Sequence, residues 1–138
     1  MSKILIVEDD LSIQALLHDF IQEAGYSVVL ASDGVEALAK YSEQSFDLVL
    51  LDIMLPKIDG FGVCEVIRQK SDVPIIMLTA KASDGDKIMG LTIGADDYIT
   101  KLFNPLEVTA RVKTQLRRYM LYNNSVSVQG EPACEYDI

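Results

Sequence analysis

The sequence predicts an α/β domain, a doubly wound five-stranded parallel sheet with helices on both faces, on three observations. Five short apolar runs are each followed by a helix-like stretch, with apolar residues recurring at three and four positions in all but the weakly periodic fourth, the alternation that builds strand-helix units. Three runs, 3–7, 46–55 and 75–78, are apolar almost without interruption, as strands covered on both faces must be. The other two, 27–31 and 97–100, are more polar and belong at the edges. Right-handed crossovers then favour the order 2-1-3-4-5, with its topological switch point between strands one and three.

At 138 residues and 49% apolar, the chain is expected to form one domain. No uncharged apolar run approaches the roughly 20 residues that a membrane-spanning helix takes. Met1-Ser2-Lys3 leads into a strand rather than a secretory signal, so a cytoplasmic location and no membrane partner are expected. The net charge of -9 argues against a nucleic-acid surface, which calls for a basic stripe. Cys64 and Cys134 fit a reducing compartment and are read as free thiols without a role.

The first strand stops at Glu8-Asp9-Asp10, and Asp10 is read as a cap or first-turn charge on the helix after it. That helix carries Ile13, Leu16, Leu17, Phe20, Ile21 and Ala24 at helical spacing and ends at Gly25, which suits a left-handed C-terminal position. Asp33-Gly34-Val35-Glu36 has the spacing of a capping box and opens a helix over 34–41 that would bury Val35, Leu38 and Tyr41. Asp59-Gly60 begins the third helix, with Phe61, Val63, Cys64, Val66 and Ile67 on its apolar side. Pro74 precedes the fourth strand, where a missing N–H costs least. The helix expected over 83–93 has weak apolar periodicity with Gly85, Gly90 and Gly94 in or beside it, which makes it the most mobile one expected. Asn104-Pro105-Leu106-Glu107 places Asn at the N-cap, Pro at N1 and Glu at N3 of the last helix. Val108, Val112, Leu116 and Tyr119 would line its buried face. Past Met120 the residues Asn123, Asn124, Ser125, Gly130 and Pro132 break the pattern. The expected division is a domain over 1–120 and a linker or tail over 121–138.

If strands one and three are neighbours, Glu8 and Asp9 emerge beside Asp52 at the end of a central strand, where ligands sit in open parallel sheets. Two carboxylates about 5 Å apart repel by roughly 3 kcal/mol at an effective dielectric of about 20. Such a cluster demands a cation or a raised pKa. An oxygen-only, partly open site suits Mg²⁺. Strands four and five add Thr79 and Lys101 at the same edge. An acid cluster, a hydroxyl and an ammonium together are what phosphoryl transfer to a carboxylate requires.

The motifs IVEDD, LLDIMLPKIDG, IIMLTA and GADDYITK, in this order and spacing from Lys3 to about Tyr119, resemble the receiver domain of two-component response regulators, a flavodoxin-like fold. GADDYITK followed by NPLEVTARVKTQLRRY is most similar to the OmpR/PhoB subfamily. The resemblance implies that Asp52 is phosphorylated by a histidine kinase, with Mg²⁺ held by the side chains of Asp9 and Asp52, the carbonyl of Met54 and, through water, Glu8. It implies that Thr79 hydrogen-bonds the phosphoryl group, that Lys101 pairs with it, and that Tyr98 is an aromatic switch which turns inward when Thr79 moves. It further implies a homodimer formed on phosphorylation through the helix over 83–93, the fifth strand and the last helix. Its charge pairs are Lys87 with Glu107, Asp97 with Arg111, and Asp96 with Arg118. A winged-helix DNA-binding effector would lie beyond the tail, so that the domain is a phosphorylation-operated switch in transcription regulation. It assists its own phosphorylation and dephosphorylation but is no turnover enzyme. One position departs from the family pattern: Leu102 comes after Lys101 where the family usually has proline.

Each residue also has a plainer reading. Asp52 alone could be an ordinary strand-end acid, His18 a surface histidine, and the charge pairs solvated contacts worth roughly 0 to 1 kcal/mol. Two rival functions are weaker. A flavin or nucleotide carrier needs a phosphate cradle of glycines and hydroxyls at a strand end, and here the first strand ends in acids. A phosphohydrolase with an aspartyl nucleophile needs a second acid two residues on, where this chain has Met54.

Overall fold

The computed structural model describes residues 2–79, 94–100 and 104–127, with side chains of the last helix described to 121. The elements run β1 (Lys3–Val7), α1 (Leu11–Glu23), β2 (Ser27–Ala31), α2 (Gly34–Glu43), β3 (Leu48–Asp52), α3 (Gly60–Arg68), β4 (Ile75–Thr79), β5 (Asp97–Thr100) and α4 (Pro105–Ser127). The strands form one parallel sheet in the order β2-β1-β3-β4-β5, as the apolar patterning predicts. The helix expected over 83–93 lies outside the described residues, as do Lys87, Lys101, Leu102 and Cys134.

Alternate strand residues point to opposite faces, and two cores result. Leu5, Val7, Val49, Leu51, Ile75 and Met77 pack with Ala37 of α2 and with Val63, Cys64 and Ile67 of α3. Ile4, Ile6, Leu48, Leu50, Ile76, Leu78 and Ile99 pack with Leu17 and Ile21 of α1 and with Val108, Val112 and Leu116 of α4. Every residue of β3 and β4 is buried, which is why these strands read as continuous apolar runs.

The helix starts obey the expected capping chemistry. Asp10 Oδ1 accepts from the N–H groups of Ser12 (2.9 Å) and Ile13 (3.2 Å), and Gly25 takes φ +101°. Asp33 Oδ1 accepts from Glu36 N–H at 2.7 Å. The return bond of that box goes one residue further back, from Ser32 N–H to Glu36 Oε1 at 2.7 Å. Asp59 caps α3 through Gly62 N–H, and Asn104 caps α4 through Leu106 N–H.

Three expectations change. Val35 is 49% exposed, because the inward stripe of α2 is Gly34, Ala37, Leu38 and Tyr41, and Val35 lies about 100° off it. Leu16 is likewise exposed, and Gln14 takes the buried place on α1. The last helix does not stop at Met120 but continues to Ser127, through Asn123, Asn124 and Ser125, where the sequence pattern predicts a linker. Nucleation is the costly step of a helix, and adding Asn or Ser to one already formed costs under about 0.7 kcal/mol each.

Candidate functional site

Adjacency of β1 and β3 decides the site. Val7 pairs with Leu51, so the next residue on each strand, Glu8 and Asp52, stands at the same level of the sheet. Carboxylate oxygens of Glu8, Asp9 and Asp52 all lie within 4.8 Å of one another. Glu8 and Asp52 are 0% and 1% exposed, while Asp9 is open to solvent. Asp52 Oδ1 accepts from Met54 N–H at 3.1 Å, and Glu8 Oε2 from Asp10 N–H at 3.1 Å. Buried carboxylates are costly without compensating partners, so this acceptor-only donor set fits a hard, oxygen-seeking cation. Met54, at the solvent edge of the same loop, is 71% exposed.

Gln14 fixes the rear of this crevice. Its amide donates to the carbonyls of Glu8 (3.0 Å) and Ala31 (3.3 Å) and to Ser32 Oγ (3.3 Å), tying the ends of β1 and β2 to α1. Its signal in the sequence is a polar residue on the stripe that Leu17 and Ile21 define.

The loop after Asp52 is held by close backbone approach. Gly60 N–H donates to Ile53 O at 2.8 Å, and a Cβ on Gly60 would press on the Asp52 carbonyl and sit 2.7 Å from Ile53 Cα. Gly34 meets the same loop from α2, where a Cβ would lie 2.8 Å from Ile58 Cβ and closer still to the Ile58 carbonyl. Between them Lys57 adopts φ +70°, a left-handed conformation unusual for a side chain with a Cβ. Its ammonium stands 3.4 Å from Asp33 Oδ2. The Glu36 amide first, and Lys57 after it, hold the Asp33 carboxyl below the usual carboxylate range. Burial pushes the Cys64 thiol pKa up.

Thr79 is the last residue of β4 and is 3% exposed. Asp52 pairs with Leu78, so Thr79 stands one residue beyond the level of Asp52. It pairs with Thr100, the residue before Lys101. Tyr98 pairs with Met77 and packs half-buried against the α2–α3 core.

On the β5–α4 edge, Arg111 Nη1 donates to both Asp97 oxygens, at 2.7 and 2.8 Å, and Glu107 Oε2 lies 3.3 Å from Nη2. The Asp97 bonds first of all raise the Arg111 pKa further. Asp97 and Arg111 therefore pair within one chain. Asp96 is also engaged within its own chain. It meets Arg68 of α3, Nη2 to Oδ2 at 2.6 Å, a partner that no local pattern in the sequence announces.

A doubly wound sheet with an acidic crevice at its switch point and a buried threonine on the neighbouring strand end has the form of a phosphoryl-accepting signalling domain. Residues 4–113 match the family model of the response regulator receiver domain, and the chain belongs to that family, whose members are phosphorylation-dependent signalling domains. The chain is 53% identical over 125 residues to the regulatory protein VanRc of Enterococcus gallinarum, covering 91% of this chain and 54% of that protein. It is 55% identical over 117 residues to the alkaline phosphatase synthesis transcriptional regulatory protein PhoP of Bacillus subtilis, covering 84% and 49%. The chain thus spans about half the length of these curated relatives, which are named as regulators. Among solved structures, the BeF3-activated receiver domain of Klebsiella pneumoniae RstA superimposes with a TM-score of 0.80 at 38% identity, covering 83% of this chain and 98% of that one. A Clostridium difficile two-component response regulator gives 0.83 at 36% identity, covering 86% and 98%. Among the described residues no helix is long and apolar enough to cross a membrane.

Proposed function

We propose that Asp52 is the phosphoacceptor of this receiver domain. The observation that carries the reading is the meeting of Glu8, Asp9 and Asp52 within 4.8 Å at the switch point, two of them almost without solvent exposure. Asp9 and Asp52, with Glu8 behind them and the Met54 carbonyl beside them, would hold Mg²⁺, which offsets the charge of an incoming phosphoryl group. The Met54 amide on Asp52 Oδ1 keeps the carboxylate turned in one orientation. In the transfer, an Asp52 oxygen forms the bond to phosphorus while the bond from phosphorus to the donor histidine nitrogen breaks, and the imidazole regains its proton. Thr79 and Lys101 then meet the new dianionic group, and Tyr98 turns inward after Thr79. The exposed thioether of Met54 has no proton to give a leaving group. The domain therefore assists its own phosphorylation and dephosphorylation without turning over outside phosphate esters.

The receiver unit is residues 1–120, its last helix running on to Ser127, and the residues after that helix lead on toward an effector. The lengths and names of the curated relatives support a further effector region and control of transcription; with these go, in this reading, a DNA-binding effector, a histidine kinase as donor, a cytoplasmic setting and a homodimer on phosphorylation. Lys87, Asp96, Asp97, Glu107, Arg111 and Arg118 form its charged face, and DNA is met only through the effector.

Intact mass after incubation with a small phosphodonor and Mg²⁺ tests the acceptor. One added phosphoryl group is expected, absent from Asp52→Asn and absent when Mg²⁺ is chelated. Labelling of the Asn variant would move the acceptor elsewhere.

Leu102 carries a second expectation. The cis geometry of the peptide bond costs about 2.5 to 4 kcal/mol before leucine and only about 0.5 to 1 kcal/mol before proline, so Lys101 is expected to meet the phosphoryl group less readily here than in a proline-bearing relative. Leu102→Pro should speed phosphorylation, read as the initial labelling rate, and unchanged rates of labelling and switching would refute this.

A further inference from the structure

Arg68 is the last residue of α3, and its layer of helices lies across the sheet from α4. Its side chain nevertheless reaches the turn that leads into β5. Nε donates to Gly94 O at 2.8 Å, Nη1 to Val73 O at 2.6 Å and to Ser71 O at 3.3 Å, and Nη2 to Asp96 Oδ2 at 2.6 Å. Gly94 has φ +125°, and a Cβ there would lie 2.8 Å from Arg68 Cγ and 3.0 Å from Nε, so the arginine packs closely over a position whose backbone favours glycine. Asp96 is fastened a second time, since Oδ2 also accepts from Ile75 N–H at 2.8 Å and its own N–H donates to Ile75 O at 2.8 Å. All the bonds of the carboxylate among the described residues fall on Oδ2.

Oδ1 is left to the surface, where Asp96 lines an open groove of about 430 Å³ with Gln115 and Arg118 and borders a second groove with Asp97, Glu107 and Arg111. Arg118 is exposed and makes no ion pair among the described residues. Acids and bases thus alternate on one face, which suits a second copy of the same chain better than a partner of single charge, because a two-fold axis can set each acid against a base.

We infer that Arg68 is a positioning residue for this face: it holds Asp96 by one oxygen so that the other is presented to Arg118 of a second copy. The inference rests on the proposed dimer, and it adds a residue from the opposite helical layer. An arginine is required because its planar fork serves three carbonyls and a carboxylate at once, which a lysine ammonium cannot do. The acceptor site is over the far end of β4 and does not depend on this contact, so the two functions separate.

The test uses the phosphodonor-labelled chain, with Arg68→Lys and Arg68→Gln, each alone and combined with Asp96→Ala. Intact mass gives the extent of labelling, and sedimentation over a concentration series gives the dimer dissociation constant. Either Arg68 variant should take up phosphate within about twofold of the parent but dimerise about tenfold more weakly, the scale of one lost charge-assisted contact. In the Asp96→Ala background the Arg68 change should have no further effect, since residues acting through one contact are not additive. A purely structural role would instead lower labelling and multiply with Asp96→Ala. Arg68 variants that dimerise like the parent, or effects that multiply, would overturn the inference. A parent that stays monomeric when fully labelled would remove the dimer reading itself, an outcome the parent sample alone reveals.

Discussion

Gly60→Ala is expected to cost about 3 kcal/mol of stability and to abolish phosphoryl uptake by whatever fraction stays folded. The new methyl group would meet backbone, the Asp52 carbonyl and Ile53 Cα, and no flexible side chain can swing away to accept it. Either α3 retreats from the sheet, opening the packing of Val63, Cys64 and Ile67, or the chain at Asp52 and Ile53 moves. The second route is tied down on both sides, because Ile53 O accepts from Gly60 N–H and Ile53 N–H donates to Leu78 O at 3.0 Å. A shift there carries Asp52 with it and disturbs its level against Glu8. Gly25→Ala is the informative contrast. A Cβ on Gly25 meets nothing within 4 Å, so that variant bears only the strain of its positive φ, about 1 kcal/mol, and should label normally. Urea denaturation midpoints read beside intact mass separate the two cases. A Gly60→Ala protein that labels like the parent would show that the approach of α3 does not fix the acceptor.

What the sequence reveals and what it hides divide along one physical line. Glu8, Asp9, Asp52 and Thr79 are legible because a strand end is a local feature, and the sheet order then brings the ends together without any side chain being placed. Asp10, Asp33, Asp59 and Asn104 are legible as caps because a cap bonds within three residues. Gln14, Gly34 and Arg68 are not. Each has a partner far along the chain, 17, 24 and 28 residues away at Ala31, Ile58 and Asp96, and no periodicity connects such pairs. Gly34 reads as part of a capping box, which is correct but incomplete, since its lack of a side chain also admits Ile58. Asp96 is legible as an acid on the β5 edge. Its intrachain partner emerges only once α3 is set against the sheet.

Asp9→Asn should reverse the order of thermal stability between two buffers. Without divalent cation, the oxygens of Asp9, Glu8 and Asp52 within 4.8 Å of one another repel, by about 3 kcal/mol per pair at an effective dielectric of about 20. Asp9 is exposed, so solvent and salt reduce its share to about 1 kcal/mol. Neutralising it should therefore raise the melting temperature by about 3 °C in chelator. Asp9 is the member to change, because Glu8 and Asp52 each accept a backbone N–H whose loss would confuse the sign. In excess Mg²⁺ the order should invert: a ligand at about a hundred times its dissociation constant stabilises the folded parent by about 2.7 kcal/mol, and the variant forfeits most of that. The crossing is the signature of a site in which stability is given up to hold a cation. If the carboxylates were merely strand-end acids supporting the loop, Asp9→Asn would be the less stable protein in both buffers and Mg²⁺ would move neither.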